Sequence, residues 1–328
     1  MFNHITQNIL NALASGEFCS GEQLGEANNI SRAAIGKHIQ ALQKLGLDIY
    51  SVTGKGHRLS VPIELLNSEA ISHAALSSLA APIKVKTVID STNNWIKEAI
   101  AAGELVNSPS GTTIFSEAQT QGRGRRGKQW VSPLGASLYF STHWRFEQGI
   151  SATTGLSLVV GIAIVEALTE LGIPNLGLKW PNDVYYQGRK LAGILVELEG
   201  QGVDSCDIII GVGINVHLPD AVTKEIDQPY ADINEVGLSL SRNHIAGRIL
   251  SHLKQLLTEF ESCGFNAFVD RWHQYDCFIN QHVQLQMGQR QVKGIAKGVD
   301  AQGGLLLEVE QQVQSFFGGE ISLRKISS

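Results

Sequence analysis

A glycine-rich loop with three arginines and one lysine is the segment of the sequence most suited to chemistry. It reads Gly122-Arg-Gly-Arg-Arg-Gly-Lys128, here called the arginine loop, and its glycines leave the backbone free to fold around a ligand. Guanidinium groups bind the oxygens of phosphates and carboxylates in pairs. The loop therefore indicates a site for a polyanion such as a triphosphate or an acyl phosphate. The alternative is a solvated basic turn.

The arginine loop also matches two phosphate-binding motifs, but its surroundings argue against both. It fits GxGxxG, and it fits GxxxxGK[ST] until Gln129. Both motifs need a following helix whose N-terminal amides bind phosphate. Here Trp130-Val-Ser-Pro133 and Gly135 follow, and residues 111–118 and 137–144 alternate as strands do. The pattern predicts that the loop joins two strands, and it disfavours a dinucleotide-binding fold.

Several other motifs occur in the order in which biotin protein ligases carry them. They are Asp90-Ser-Thr-Asn93, Gln119, Lys179-Trp-Pro-Asn-Asp183, Gly188-Arg-Lys-Leu-Ala-Gly193 and Gly211-Val-Gly-Ile-Asn215. None is specific alone, but the ordered set with the arginine loop is. The chain therefore resembles the biotin protein ligases. This resemblance implies that it makes biotinyl-5′-AMP from biotin and ATP, and passes biotin to a lysine of the biotin carboxyl carrier protein of acetyl-CoA carboxylase.

The resemblance also implies which residues form the site. Those expected around biotin are Ser91, Thr92, Asn93, Gln119, Gly122, Arg123, Arg125, Trp130, Lys190, Gly193, Leu195 and Gly211. Those expected around ATP and the adenylate are Arg126, Lys128, Lys179, Asn182, Asn215, Tyr230 and Arg324. The expected catalytic residues are Lys190, Arg125, Lys179 and Asp183. Two positions depart from the pattern, because Tyr230 replaces a tryptophan that often stacks on adenine, and Lys128 replaces a frequent arginine.

The implied reaction explains why such a site is rich in cations. The carboxylate of biotin is already ionised, so it attacks the α-phosphate without a general base, and charge repulsion is the obstacle. Lys179, Lys190 and Arg123 would offset that repulsion, and Mg²⁺ would accompany the triphosphate. Asp183 would orient Lys179 or touch the metal. A closing arginine loop would shield the reactive mixed anhydride from water.

Two rival functions fit part of the pattern. A lipoyl-type ligase would use related acyl-adenylate chemistry, and a biotin-sensing transcription factor would have an inactive catalytic domain. The motif at 90–93 together with the arginine loop favours biotin over lipoate. The presence of both Lys179 and Lys190 favours catalysis over sensing alone.

The elements that precede the site predict a winged helix-turn-helix. Ser20 and Gln23 have the spacing of a capping box, and Ser31 can cap a third helix. In that helix Ile35, Ile39 and Leu42 recur at helical spacing on one face. Residues 48–59 alternate around a turn at 54–56, which predicts a hairpin that follows the third helix as a wing.

The third helix and the wing carry the basic charge of this region. Residues 31–58 hold five basic residues and one acid, a balance of +4, whereas residues 1–30 hold three acids. The residues expected to meet DNA are Ser31, Arg32, Ala33, Lys37, Lys55 and Arg58. Gly36 weakens the helix, and the alternative is a protein-interaction domain with a solvated basic face. With this module in front, the chain resembles the bacterial subclass that is also the adenylate-dependent repressor of the biotin operon.

The fold class expected is α+β with several domains. The predicted domains are a winged helix-turn-helix at 1–62, a connector at 63–82, a catalytic domain at 83–274 with the mixed α/β sheet of biotin and lipoyl ligases, and a small SH3-like β-barrel at 275–328. The resemblance also implies a homodimer through central-sheet edges once adenylate is bound, and operator DNA as a partner.

Composition points to a cytoplasmic protein with no membrane partner. The net charge is −5, with 43% hydrophobic and 17% charged residues, which is ordinary for a globular chain. The longest apolar stretch, 155–165, falls short of the roughly 18 residues that span a bilayer and predicts a buried helix. The first residues lack the pattern of a signal peptide, and four distant cysteines indicate neither a zinc site nor disulfides.

Overall fold

Three β-sheets and the helices packed on them make up the part of the chain that the structure describes. The structure is a computed structural model that covers residues 2–76, 79–149, 153–199, 205–224, 226–317 and 321–325, without the side chains of residues 221 and 321–325. Two strands form the first sheet, seven form the central sheet, and five form the last.

The N-terminal elements form the expected winged helix-turn-helix. They are α1 (His4–Leu13), α2 (Gly21–Asn28), α3 (Arg32–Lys44), β1 (Ile49–Val52) and β2 (Gly56–Leu59). Ser20 and Gln23 form the predicted capping box, and the Ser31 side chain accepts from the amide of Ala34. Ile35, Ile39 and Leu42 are buried against α1 and the wing, because helical spacing puts them on one face of α3.

A connector ties the winged helix to the central sheet by a network of hydrogen bonds that is partly exposed and partly buried. It contains α4 (Ser68–Ala74) and Glu64, whose carboxylate accepts from the amide of Arg242 at 2.6 Å. Burial would raise the pKa of Glu64, but hydrogen bonds from Ser241, Asn243 and Arg242 bring it below its usual value. The Arg242 guanidinium also lies 2.8 Å from the carboxylate of Glu117, and both side chains are buried.

The central sheet has the strand order β3-β4-β5-β9-β8-β7-β6. Its strands are β3 (Ile83–Ile89), β4 (Thr113–Gln119), β5 (Ser137–Phe146), β6 (Leu176–Lys179), β7 (Asp183–Tyr186), β8 (Arg189–Glu199) and β9 (Cys206–Asn215). Among the described strands of this sheet, the β3–β4 pair is parallel and the other neighbours pair antiparallel. The two strands expected on either side of the arginine loop are therefore confirmed as β4 and β5, which pair antiparallel.

Five α-helices of the described residues complete the central region. They are α5 (Thr92–Ala101), α6 (Leu156–Glu170), α7 (Asp220–Thr223), α8 (Arg242–Cys263) and α9 (Val269–Tyr275). The apolar stretch at 155–165 forms most of α6, which is buried between the sheet and α8, as the sequence predicts. Among the described residues no helix has the length and apolar character that a membrane crossing requires.

The C-terminal strands form one antiparallel sheet in the order β13-β12-β11-β10-β14. They are β10 (His282–Met287), β11 (Arg290–Val299), β12 (Leu305–Val309), β13 (Gln312–Phe316) and β14 (Ile321–Lys325). Within the described ranges no pairing joins β13 to β14, so closure into a barrel stays a prediction, as do the domain boundaries at 62, 82 and 274.

Gly36 in α3 offers a test of how the winged helix is stabilised. A Cβ at this position would meet nothing within 4 Å, so Gly36→Ala should stabilise α3 by about 1 kcal/mol through the lower entropy of alanine. Amide hydrogen exchange in α3 should then slow about fivefold. The control is Gly25→Ala, whose Cβ would lie 2.7 Å from the carbonyl oxygen of Ile30 and should destabilise α2. Unchanged or faster exchange in Gly36→Ala would contradict this account.

Candidate active site

Two central strands and three glycines form the floor of the candidate site. In the β8–β9 pair Gly193 faces Gly213, and Leu195 faces Gly211. A Cβ on Gly211 would lie 2.1 Å from Oδ1 of Asn93, and a Cβ on Gly213 would lie 2.4 Å from the ring of Trp130. Because these glycines lack a side chain, both Asn93 and Trp130 can lie directly on the sheet.

A cavity of about 540 Å³ lies above this floor. It is large enough for a small organic ligand or a nucleotide portion. The sequence-predicted residues that line it are Ser91, Thr92, Asn93, Gln119, Arg123, Arg125, Arg126, Lys128, Trp130, Lys179, Asn182, Asp183, Lys190, Gly193, Leu195 and Gly211. The structure thus brings together residues from the start of α5, the arginine loop and five strands, and they are up to 120 positions apart in the sequence.

One end of the cavity is polar because the start of α5 points its buried side chains at β4 and β5. The amide of Thr92 donates to Oε1 of Gln119 at 2.8 Å, and Nε2 of Gln119 donates to Ser132 at 3.2 Å. The hydroxyl of Ser141 lies 2.7 Å from that of Thr92. Ser91 is buried but makes no capping bond with its side chain. This end presents hydroxyl and amide groups whose positions are already fixed by the protein.

The arginine loop folds as a small hairpin over the cavity. The amide of Gly124 donates to the carbonyl of Lys128 at 2.7 Å, and the amide of Trp130 donates to the carbonyl of Gly122 at 2.9 Å. Arg126 turns the chain with a φ of 61°. Arg125 donates to Asn182 at 3.2 Å, and its pKa is lowered, first by burial and then by the neighbouring Arg126. A bound anion would relieve this repulsion between the two cations.

The two predicted catalytic lysines have different partners. Nζ of Lys190 lies 2.8 Å from the carboxylate of Asp183 and 5.4 Å from the centre of the Trp130 ring. Nζ of Lys179 donates to the hydroxyl of Tyr185 at 3.0 Å. Burial raises the pKa of Tyr185 to about 12, so its hydroxyl stays protonated beside the lysine at neutral pH. Asp183, expected from sequence to orient Lys179 or touch a metal, is placed to orient Lys190.

Of the four other predicted site residues, three are not among those that line the cavity, and the side chain of the fourth lies outside the described residues. Gly122, the first residue of the arginine loop, is buried, and Asn215 donates to the carbonyl of Ala231 at 3.0 Å, holding the chain after α7. Tyr230 forms a bridge with the backbone of Lys190, and its side chain is half-buried. The backbone of Arg324 belongs to β14, but its side chain lies outside the described residues.

Several residues of the site were missed by the sequence analysis. Asp227 and Gln228 line the cavity from the segment after α7, and Ser132 and Ser141 support its polar end. The most informative omission is Glu197, which pairs with Arg123 at 3.0 Å. Strand alternation could have found it, since Glu197 follows Leu195 by two positions and so points to the same face of β8.

The acidic residues of the cavity wall bear on metal binding. Asp183 and Asp227 are the two acids among its lining residues. No group of three or more histidine, cysteine, aspartate or glutamate side chains that could hold a metal exists in the described parts of the chain. Mg²⁺ commonly uses one or two protein carboxylates together with substrate phosphates, and the residues present fit that mode rather than an all-protein cage.

The predicted DNA-contacting residues lie on α3 and the wing. Ser31, Arg32, Ala33 and Lys37 are exposed on the N-terminal half of α3. In the wing, Nζ of Lys55 lies 5.7 Å from the centre of the Phe18 ring, and the guanidinium of Arg58 lies 5.5 Å from it. Phe18 was not identified from sequence. It holds the wing cations by cation–π contacts that also cover its ring.

Comparison with known proteins gives matches to three parts of the chain and to the whole. Residues 85–215 match the biotin/lipoate A/B protein ligase family, residues 278–324 match the biotin protein ligase C-terminal domain, and residues 6–58 match an HTH domain. The bifunctional ligase/repressor BirA of Escherichia coli is 46% identical over 98% of both chains. The protein of the same name from Bacillus subtilis is 29% identical over 94% of this chain and 95% of its own.

A solved structure agrees with these sequence matches. The biotin protein ligase of Aquifex aeolicus, in complex with biotin and ATP, superposes with a TM-score of 0.63 at 30% identity. The match covers 74% of this chain and 99% of that one.

Proposed function

Because the chain belongs to the family of bifunctional biotin ligases and repressors, we propose that it joins biotin to ATP as biotinyl-5′-AMP, transfers biotin to a lysine of the biotin carboxyl carrier protein, and represses the biotin operon. The observation that carries the ligase activity is the cavity itself. Six of its lining residues are cationic (Arg123, Arg125, Arg126, Lys128, Lys179 and Lys190), against two that are acidic.

This charge excess supports the first half-reaction. An ionised carboxylate that approaches a triphosphate is repelled by it, and fixed cations in a partly dehydrated cavity remove that repulsion without having to reorganise. Lys190, with a side chain 14% exposed, is held by Asp183 at one place in the cavity. It would lie beside the reacting carboxylate and α-phosphate. Magnesium bound with the triphosphate would supply further charge neutralisation.

The two ends of the cavity would orient biotin. The ureido ring offers one acceptor and two donors, which match the hydroxyl and amide groups of Ser91, Thr92 and Gln119 at the polar end. Trp130 and Leu195 supply apolar surface for the bicycle and the valeryl chain, beside the glycine floor. In this arrangement the carboxylate of biotin points away from α5 and towards the lysines.

The repressor activity is proposed to use α3 and the wing. The exposed Arg32 and Lys37 would enter the major groove, and Lys55 and Arg58 would approach phosphates. A two-fold operator needs a dimer. Strand β3 could form the dimer contact, because in the described residues it pairs with another strand only on the β4 side. The other edge strand, β6, is also bridged by Asp276. The same edge would receive the acceptor protein, and we place the protein in the cytoplasm.

The assignment to biotin rather than lipoate can be tested directly. The protein is incubated with ATP, magnesium and either vitamin, and pyrophosphate release is followed, then the mass of an added carrier domain. We expect release and a mass gain with biotin only, because the relatives and the polar end of the cavity both favour its ureido ring. If pyrophosphate were released with lipoate and not with biotin, the assignment to biotin would be wrong. Pyrophosphate release without a mass gain on the carrier domain would contradict the transfer step.

Lys190 should be needed for adenylation. Lys190→Met removes a cation from the cavity and leaves Asp183 facing the substrate carboxylate, so pyrophosphate release should slow by about 100-fold or more. Lys97→Met is the matched control, since Lys97 is 56% exposed and pairs with Glu199 outside the cavity. Full-speed release in Lys190→Met would contradict the electrostatic account.

Arg125 should retain the adenylate. Its guanidinium links the arginine loop to Asn182 across the cavity, so Arg125→Gly should release biotinyl-5′-AMP at least tenfold faster by removing this contact and freeing the backbone. The comparison is Arg126→Gly, which removes the same charge from an exposed residue at a φ of 61° that suits glycine, and should have a smaller effect. Dissociation of labelled adenylate measures both; equal rates in Arg125→Gly and the unmodified protein would rule out the retaining role.

A further inference from the structure

The carboxylate of Glu197 collects contacts from two elements that the proposed function uses. One guanidinium nitrogen of Arg123 lies 3.0 and 3.2 Å from its two oxygens, and the amide of Asn93 donates to it at 2.5 Å. Arg123 also donates to Asn94 in α5. One side chain on β8 thus joins the start of the arginine loop to the first turn of α5.

We propose that Glu197 is a positioning residue for biotin, an inference that rests on the proposed function. It fixes the distance between the arginine loop and α5 before the substrate enters, so that the polar end of the cavity is already assembled. Binding then does not have to supply the free energy of ordering these groups.

The exposure of the ion pair argues that stability is not its main effect. The side chains of Arg123 and Glu197 are 31% and 33% exposed, and ion pairs at such exposure contribute little to folding. Their position is more informative. Arg123 lines the cavity and Glu197 holds its guanidinium, so the effect of the pair falls on the shape of the site.

Glu197 is the first member of a chain of polar contacts that reaches the far end of the loop. Asn93 and Thr92 both lie next to the hydroxyl of Ser141. The chain continues through Gln119 to Ser132, which donates to the carbonyl of Trp130 at 2.9 Å. Glu197 therefore fixes residue 123 near the start of the arginine loop, and Ser132 fixes residue 130, two positions after its end.

This arrangement separates the roles of the arginines. The charge of Arg123 is balanced by Glu197, whereas Arg125 lies between the attraction of Asp183 and the repulsion of Arg126, which a bound anion would offset. Arg123 accordingly acts at the polar end of the cavity, where biotin would bind. The neutralisation of phosphate that was expected of it is then left to the other cations of the cavity. Loss of Glu197 should weaken the binding of biotin and leave that of ATP nearly unchanged.

The test compares two neighbouring glutamates on one face of β8. Glu197→Gln should raise the KM for biotin about tenfold, the loss of one charged hydrogen-bonded contact, and alter the KM for ATP less than twofold. Glu197→Asp should restore part of the loss. Glu199→Gln removes the same charge from a residue that pairs with Lys97 outside the cavity, and should leave both constants unchanged.

A second variant keeps the proposal testable if the first misfolds, which thermal unfolding of each full-length variant would reveal. Arg123→Met should give the same selective loss for biotin. The KM for biotin of the double variant should be no higher than that of the more impaired single variant, because both substitutions remove the same ion pair. Additive losses, or equal effects on biotin and ATP, would overturn the positioning role. Failure of the unmodified protein to release pyrophosphate with biotin would instead refute the proposed function.

Discussion

The close approach of side chains to a bare stretch of β-sheet is the constraint on which the site depends. A strand residue normally holds its neighbours off by its Cβ, but Gly193, Gly211 and Gly213 leave the β8–β9 surface open. Asn93 and Trp130 occupy the space so created. The cavity is therefore shaped by two side chains that come from elsewhere in the chain and rest on the sheet backbone, and any added methyl group in this floor would displace one of them.

Electrostatics then divides the cavity into two regions. Near the start of α5, the cation that lines the cavity is balanced within the protein, because Arg123 pairs with Glu197. Beneath the turn of the arginine loop, like charges lie together, and burial already lowers the pKa of Arg125. A neutral, hydrogen-bonding group suits the first region and an anion suits the second. The proposed substrates match this division, because the ureido ring of biotin is a neutral hydrogen-bonding group and the nucleotide is an anion.

Local patterns in the sequence predicted much of this structure. The capping residues Ser20 and Ser31, the strands on both sides of the arginine loop and the buried helix at 155–165 depend on neighbours within a few positions, and all are confirmed. Sixteen site residues were expected from ordered motifs, and they do line one cavity. Their individual roles remain predictions, as do the bounds of the domains.

What the sequence could not provide was the partner of each side chain. Asp183 was expected to orient Lys179 or touch the metal. It does face Lys179 across the β6–β7 hairpin, but the sequence did not show that its carboxylate lies 2.8 Å from Nζ of Lys190, in the next strand. Glu197 and Phe18 belong to no motif, and their contacts arise from elements 74 and 37 positions or more away (197 − 123 and 55 − 18). Such contacts depend on tertiary geometry, which spacing along one element does not encode.

The Glu64 network bears on where this chain can be divided. Glu64 precedes the central sheet by almost twenty residues, yet it accepts bonds from Ser241, Arg242 and Asn243, where α8 begins. A fragment that starts at the first strand of that sheet would leave these donors, and the guanidinium beside Glu117, without an acceptor they have in the intact protein. The smallest fragment that preserves the start of α8 therefore keeps residue 64, and a protease site or affinity tag meant to separate the two activities belongs before it.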